Sequence, residues 1–158
     1  MSGGPQVGEP APDFELPGTA GSFRLSDHRG ERVLLLFYPG DNTPVCTKQF
    51  CSYRDDESKI MELDATIVGI STQDVGSHER FTSHHGLKIP LLADTGGKIA
   101  KAYGVGSRIM GTKRSVFIID PEGKLAFRHV HALSLTFMDS AALGEALATV
   151  PPPARVTP

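Results

Sequence analysis

Two cysteines among 158 residues are too few for the disulfide framework of a small secreted domain. A cytosolic redox or metal role suits that count better. Charge of either sign is also lacking in excess: 16 Lys and Arg face 18 Asp and Glu, for a formal net charge of −2. That balance gives no electrostatic case for nucleic acid or an acidic membrane. No window approaches the roughly 20 apolar residues of a membrane span. Met1 to Pro12 is rich in Gly and Pro and has no apolar h-region, so it does not read as a signal peptide. The expected location is cytoplasmic. There is no internal repeat and no dividing linker, and the length suits one domain with a core that needs no staples. The expected division is a flexible N-terminus over 1–8, one domain over 9–150 and a Pro-rich tail over 151–158.

What the chain does have is the stretch Tyr38-Pro39-Gly40-Asp41-Asn42-Thr43-Pro44-Val45-Cys46-Thr47-Lys48-Gln49-Phe50-Cys51. It follows Val33-Leu34-Leu35-Leu36-Phe37, an apolar run that reads as a buried strand. Pro39, Gly40, Asp41 and Asn42 break the strand. Thr43 then stands as a helix N-cap, with Pro44 at the first helical position, where the missing N–H costs nothing. Cys46 becomes the third helical residue, among backbone N–H groups without intrahelical partners and at the positive end of the helix dipole. A capping box favours an anion at this three-residue offset from Thr. A thiolate is an anion and is the nucleophilic form of cysteine, so this placement favours ionised sulfur. The plainer alternative makes Cys46 a small buried apolar residue, but such a cysteine has no need of a Thr-Pro helix start.

Cys51 lies five residues further on. On a helix that is a rise of about 7.5 Å and a rotation of about 140°. The Cβ vectors diverge, and the Cα atoms lie beyond the roughly 7 Å limit for a disulfide. Either the two cysteines are unrelated, or they bond only when the helix start unwinds. In the second case, oxidation of Cys46 to sulfenic acid would allow Cys51 to attack through local unfolding.

The remaining elements follow from pattern. Asp13–Leu16 and Ser22–Leu25 read as a hairpin about Pro17–Gly21. The Cys46 helix is expected from Thr43 to about Leu63, with a break near Asp55-Asp56 because the apolar period is loose there. Ala65–Ser71 reads as a second buried strand, Ser77–Gly86 as a helix ended by Gly86, Leu91-Leu92 as a short strand, and Gly97–Tyr103 as a short helix. Ser115–Asp120 and Lys124–Val130 flank Pro121-Glu122-Gly123, a hairpin signal. A last helix covers about Phe137 to Thr149, and Pro151-Pro152-Pro153 ends it. The pattern implies an α/β domain with a mixed sheet covered on both faces.

Phe37-Tyr38-Pro39, then Asp41-Asn42-Thr43-Pro44, Cys46-Thr47-Lys48 and Cys51, resembles the active-site loop of a peroxiredoxin. The closest likeness is to the Q-type, or bacterioferritin-comigratory, subgroup, whose resolving cysteine follows the peroxidatic one by five residues. The family motif of Pro, three residues, Thr or Ser, two residues, Cys is met by Pro39, Thr43 and Cys46. The resemblance runs from about Glu9 to about Val130. It implies a thioredoxin-like fold: a central mixed sheet flanked by helices, with an N-terminal β-hairpin.

The same resemblance implies a thiol-dependent peroxidase. Cys46 attacks hydrogen peroxide or an organic hydroperoxide. Cys51 resolves the sulfenic acid as an intramolecular disulfide, and thioredoxin or a similar dithiol reduces it. Thr43 caps the helix and contacts peroxide, and Pro39 shields the sulfenic acid. Family members carry an arginine just before the strand that opens the hairpin; Lys113-Arg114-Ser115 matches that segment, so Arg114 is the candidate and Lys113 its solvated neighbour. A permanently charged fork suits a developing oxyanion. No cofactor is implied, and the subgroup implies a monomer.

Three departures stand out. Many members carry Gly at Val45 and Glu at Gln49, and Tyr103–Gly111 is short. A β-branched Val45 stiffens the first turn and slows its unwinding, while Gln49 removes a negative charge near the sulfur. The six histidines do not suggest a metal: His84 and His85 diverge on a helix, His78 and His84 fit one face poorly, and His129 and His131 only share a strand side. Cys46 and Cys51 lack C-x-x-C zinc spacing. A general dithiol–disulfide reductase and a non-enzymatic redox sensor remain as alternatives, although the former expects two intervening residues rather than four.

Overall fold

The computed structural model describes residues 4–41, 43–107, 111–131 and 136–151. Five strands form the main sheet, in the order β5-β4-β3-β8-β9. At its centre is β3 (Val33–Phe37), parallel to β4 (Thr66–Ser71) and antiparallel to β8 (Ser115–Ile119). β5 (Leu91–Ala93) extends the parallel side, and β9 (Leu125–Val130) the antiparallel side. The sheet is therefore mixed, as expected.

An unbroken run of apolar residues in β3 is the mark of a strand covered on both faces, and all five of its residues are buried. Val33, Leu35 and Phe37 enter one core with Phe14, Phe23, Leu25 and Tyr103. Leu34 and Leu36 enter the other, with Cys46, Phe50, Tyr53, Phe81, Leu143 and Leu147. The first core is closed by the antiparallel hairpin β1 (Glu15–Leu16) and β2 (Phe23–Arg24), and by α4 (Lys98–Ala102). The second is closed by α1 (Pro44–Asp55), α3 (Val75–His85) and α5 (Ser140–Ala148).

The expected break falls where the apolar period fails. Asp56 adopts φ −99° and ψ 32°, separating α1 from the short α2 (Glu57–Met61). α3 starts at Val75 rather than Ser77, because the Asp74 carboxylate caps it by accepting from the Ser77 amide. Gly86, with φ 63°, ends it in the left-handed conformation that glycine tolerates. α5, by contrast, starts later than expected, at Ser140, where the Asp139 carboxylate caps it by accepting from the Ala142 amide. The small ladder of β6 (Gly106–Ser107) and β7 (Gly111–Thr112) has no apolar alternation and was not expected from the sequence. Residues 152–158 of the Pro-rich tail, 1–3 of the N-terminus, Asn42, and 108–110 within the short segment lie outside the described residues.

Buried Arg32 ties the base of the second core together. Its Nη1 donates to the carbonyls of Leu147 and Val150, at the end of α5, and its Nη2 to those of Leu63 and Asp64. Carbonyls left over at a helix end need such donors, and a cation suits the negative end of the dipole.

Candidate active site

β3 delivers the chain to the site. Tyr38, just past its end, still donates its amide to Ile70 in β4 at 3.0 Å. The chain then turns through Pro39–Thr43 and enters α1 with Pro44 first and Cys46 third. Cys46 is fully buried, and Cys51 on the same helix is half-buried; both are free thiols. Neither can reach the other while α1 is intact, given five residues of helical rise and rotation.

Thr43 occupies the N-cap position, with φ −81° and ψ 148°, but its side chain makes no cap hydrogen bond. This corrects the sequence expectation. The hydroxyl instead donates back to the Gly40 carbonyl at 3.0 Å, closing the loop on itself. Hydroxyls of Ser and Thr commonly make such local bonds in competition with capping. The first-turn amides beside Cys46 are thus not taken by the Thr43 side chain. Pro39 is half-buried within the same loop.

Arg114 comes from the opposite side of the sheet centre. It immediately precedes β8, whose first residue, Ser115, pairs with Phe37 at the end of β3. That register sets the guanidinium against the start of α1. Arg114 is only 2% exposed, and its Nη2 donates to Cys46 Sγ at 3.1 Å. Its Nη1 donates to Gln49 Oε1. Gln49 in turn donates from Nε2 to the Tyr53 hydroxyl at 3.0 Å, and Tyr53 donates to the Met138 carbonyl at 2.5 Å. Gln49 and Tyr53 are buried. Burial pushes the Tyr53 phenol well above its ordinary range, against opposing effects from the Gln49 bond and the Arg114 charge; Tyr53 therefore stays a donor. Cys46, Gln49 and Tyr53 are spaced three and four apart, so one face of α1 presents the sulfur and both supports of the arginine. Lys113, by contrast, is exposed.

A buried cation aimed at a buried sulfur, at the amide-rich start of a helix, stabilises negative charge at that sulfur and on an oxygen bound next to it. A family profile described as the AhpC/TSA family matches residues 7–128. The chain belongs to that family; it is a peroxiredoxin. It is 41% identical over 128 residues to peroxiredoxin Bcp of Bacillus subtilis (strain 168), covering 76% of this chain and 82% of that one. It is 38% identical over 123 residues to the chloroplastic peroxiredoxin Q of Triticum aestivum, covering 76% of this chain and 57% of that protein. Among solved structures, peroxidoxin BcpB from Mycobacterium tuberculosis matches with a TM-score of 0.78 at 35% identity, over 91% of this chain and 95% of that one. The fold is accordingly thioredoxin-like, and the activity class is thiol-dependent peroxidase.

Sequence reasoning placed Cys46 and Arg114 but missed what connects this peroxiredoxin's loop to its body. Asp41, quoted only as part of the motif, puts its carboxylate out of solvent. It accepts from the Tyr38 hydroxyl at 2.7 Å and from Ser77 Oγ at 2.8 Å, and it meets His78 Nδ1 at 2.7 Å. Burial alone would raise the Asp41 carboxyl, but the bonds from His78, Tyr38 and Ser77 together hold it below its ordinary 3.8. Burial and then the Asp41 charge push the Tyr38 phenol well up. His78 is thus a buried, hydrogen-bonded histidine, and its other nitrogen, Nε2, meets the Leu92 carbonyl at 3.0 Å. His129 and His131 do lie side by side, with ring centroids 4.5 Å apart. Burial and the nearby His129 and Arg114 charges lower His131 below its ordinary 6.5. Among the described residues, no three His, Cys, Asp or Glu side chains gather as a metal cluster would require.

Proposed function

We propose that Cys46 is the peroxidatic residue, Cys51 the resolving one, and Arg114 the cation that steadies the charges on both sulfur and oxygen. The contact of Arg114 Nη2 with Cys46 Sγ at 3.1 Å carries this reading. The Cys46 thiolate attacks one peroxide oxygen and the O–O bond breaks. Sulfur is oxidised to sulfenic acid, and the departing alkoxide or hydroxide takes a proton and leaves as alcohol or water. Arg114 and the first-turn amides of α1 offset the negative charge as it moves from sulfur to oxygen. Thr43 shapes the loop through its bond to Gly40, and its hydroxyl lone pairs remain able to accept from peroxide. Pro39 covers the sulfenic acid.

In the second step the start of α1 unwinds and the Cys51 thiolate attacks the sulfenic sulfur. The S–S bond forms, and hydroxide leaves with a proton as water. An external dithiol of the thioredoxin kind then reduces the disulfide. Hydrogen peroxide and organic hydroperoxides are the proposed oxidants. We assign the same chain to the cytoplasm as a monomer, organised as a short N-terminus over 1–8, one peroxidase domain over 9–150 and a tail over 151–158. No helix among the described residues is long and apolar enough to cross a membrane.

A thioredoxin-coupled peroxide assay tests the reading. Cys46→Ser should abolish turnover. A Cys46→Ser protein that consumed peroxide at the parental rate would end the assignment.

A further inference from the structure

The first turn of α1 is held from two sides. On the chemical side, Arg114 bonds to Cys46 and Gln49, and Gln49 to Tyr53. On the loop side the bonding is dense and centres on Asp41. The Asp41 amide donates to Gln73 Oε1 at 2.9 Å, and the same oxygen accepts from Ser71 Oγ at 2.8 Å. Gly40 lies close against the same side chain: a Cβ there would come within 2.8 Å of Gln73 Nε2. The Asp41 carboxylate takes Tyr38, Ser77 and His78. Ser77 and His78 belong to the first turn of α3, and His78 reaches on to Leu92 in β5. The loop before α1 is therefore strapped to β4, α3 and β5 through one aspartate.

His78 is the hub of that strap. It is fully buried and meets an acceptor at each ring nitrogen. Its Nδ1 faces the Asp41 carboxylate and its Nε2 the Leu92 carbonyl. Removing one member of such a buried hydrogen-bonded pair leaves the polar atoms of the other unsatisfied. Tyr38 carries the connection to the reacting helix: its hydroxyl bonds Asp41, and its ring packs edge-on against Phe50 at 4.8 Å. Phe50 is one turn from Cys46 on α1.

Oxidation changes the balance between the two sides. A thiolate accepts a charge-assisted bond from Arg114; a neutral sulfenic acid accepts a weaker one. The chemical side loosens when the sulfur is oxidised, and the loop side is unchanged. We propose that His78, acting through Asp41, is a positioning residue that sets how readily α1 unwinds for disulfide formation after Cys46 has been oxidised. This rests on the assignment of Cys46 and Cys51 given above. The strap slows resolution and so fixes the share of sulfenic acid that a second peroxide carries on to sulfinic acid.

The test compares the full-length protein with its His78→Asn variant. Rapid mixing with one equivalent of hydrogen peroxide follows thiol loss and then Cys46–Cys51 disulfide formation. The disulfide step should be about tenfold faster, the worth of one charge-assisted hydrogen bond, with the first oxidation changed by less than about twofold. At high peroxide the sulfinic product should fall in the variant. In a Cys51→Ser background, where nothing competes for the sulfenic acid, that fall should vanish. Ser77→Ala, which removes one donor to Asp41 from a half-buried site, should shift the disulfide step the same way, by about threefold on the same scale. An unchanged or slower disulfide step in both variants overturns the proposal, as does equal loss of both steps. Hydrogen exchange of the Thr47 amide, bonded to the Thr43 carbonyl at 2.8 Å, reads the unwinding without any peroxide. It should be about tenfold faster in His78→Asn, and no change there also overturns the strap. A wild-type protein inert to peroxide would sink the peroxidase assignment while leaving this exchange measurement decisive for His78.

Discussion

The guanidinium of Arg114 bonds the sulfur of Cys46 with one nitrogen and the side chain of Gln49 with the other, so one cation spans two residues three apart on α1. A lysine could make only one of these contacts well, because its ammonium is a point charge rather than a fork. Arg114→Lys should therefore keep the fold and slow the first oxidation of Cys46 by about 100-fold, the usual effect of losing one well-placed donor at a developing anion. Stopped-flow thiol oxidation measures it. A variant within about threefold of the parent would show that the cation is not needed at the reacting atoms.

Gln49 supports Arg114 without neutralising it. A carboxylate in the same place would share the guanidinium with the sulfur and repel the thiolate. Gln49→Glu should accordingly lower the thiolate fraction at neutral pH. Alkylation of Cys46 by iodoacetamide should slow by roughly tenfold, in line with one nearby like charge. Faster alkylation would contradict this picture of the site. Gln49→Ala serves as the contrast: it leaves Tyr53 and Arg114 each short of a partner and should cost about 1–3 kcal/mol of stability.

Cys46 and its helix were legible because local rules fixed them. A Thr-Pro start, a cysteine at the third position and a preceding apolar run are all short-range signals, and each element fell where they placed it. Arg114 needed the family resemblance, since a charge beside an apolar strand has no mark of its own; only the pairing of Ser115 with Phe37 brings it to the sulfur. The Thr43 side chain escaped local reasoning because two acceptable partners competed and the loop carbonyl of Gly40 won. The Asp41–His78 pair joins residues 37 apart in sequence, and Arg32 reaches across 118 residues to Val150. Contacts of that range depend on how layers stack, which no window of sequence contains. The sequence expectation starts α3 at Ser77, two residues late; the Asp74 cap three residues before Ser77 is the local signal that moves the start to Val75.

Asp41 gives the protein an acid-sensitive point. Its carboxyl is held below 3.8 in the folded chain by His78, Tyr38 and Ser77 acting against burial. A depressed folded value means that the unfolded chain takes up the proton first as pH falls. The stabilisation is complete above the unfolded value and disappears as pH drops through the folded one. Chemical denaturation should show stability falling below about pH 4, and Asp41→Asn should flatten that slope while lowering stability at pH 7 by about 1–3 kcal/mol. An unchanged acid slope in Asp41→Asn would mean that other carboxylates account for it.

Val45 sits second in α1, one residue before the sulfur. Its β-branched side chain has one favoured rotamer in a helix, whereas glycine adds backbone freedom to the unwound state. Val45→Gly should destabilise the first turn by about 0.5 kcal/mol, the difference in their helix propensities. On the proposed mechanism, in which Cys51 attacks the unwound form, that becomes about a twofold rise in the rate of disulfide formation. The first oxidation, which needs the turn intact, should change little. Cys51→Ser bounds the comparison: a normal first turnover, then no thioredoxin-driven cycling. If Val45→Gly left resolution unaltered while Cys51→Ser stopped cycling, the helix would have to open at a point beyond its first turn, and the stiffness of residue 45 would carry no kinetic weight.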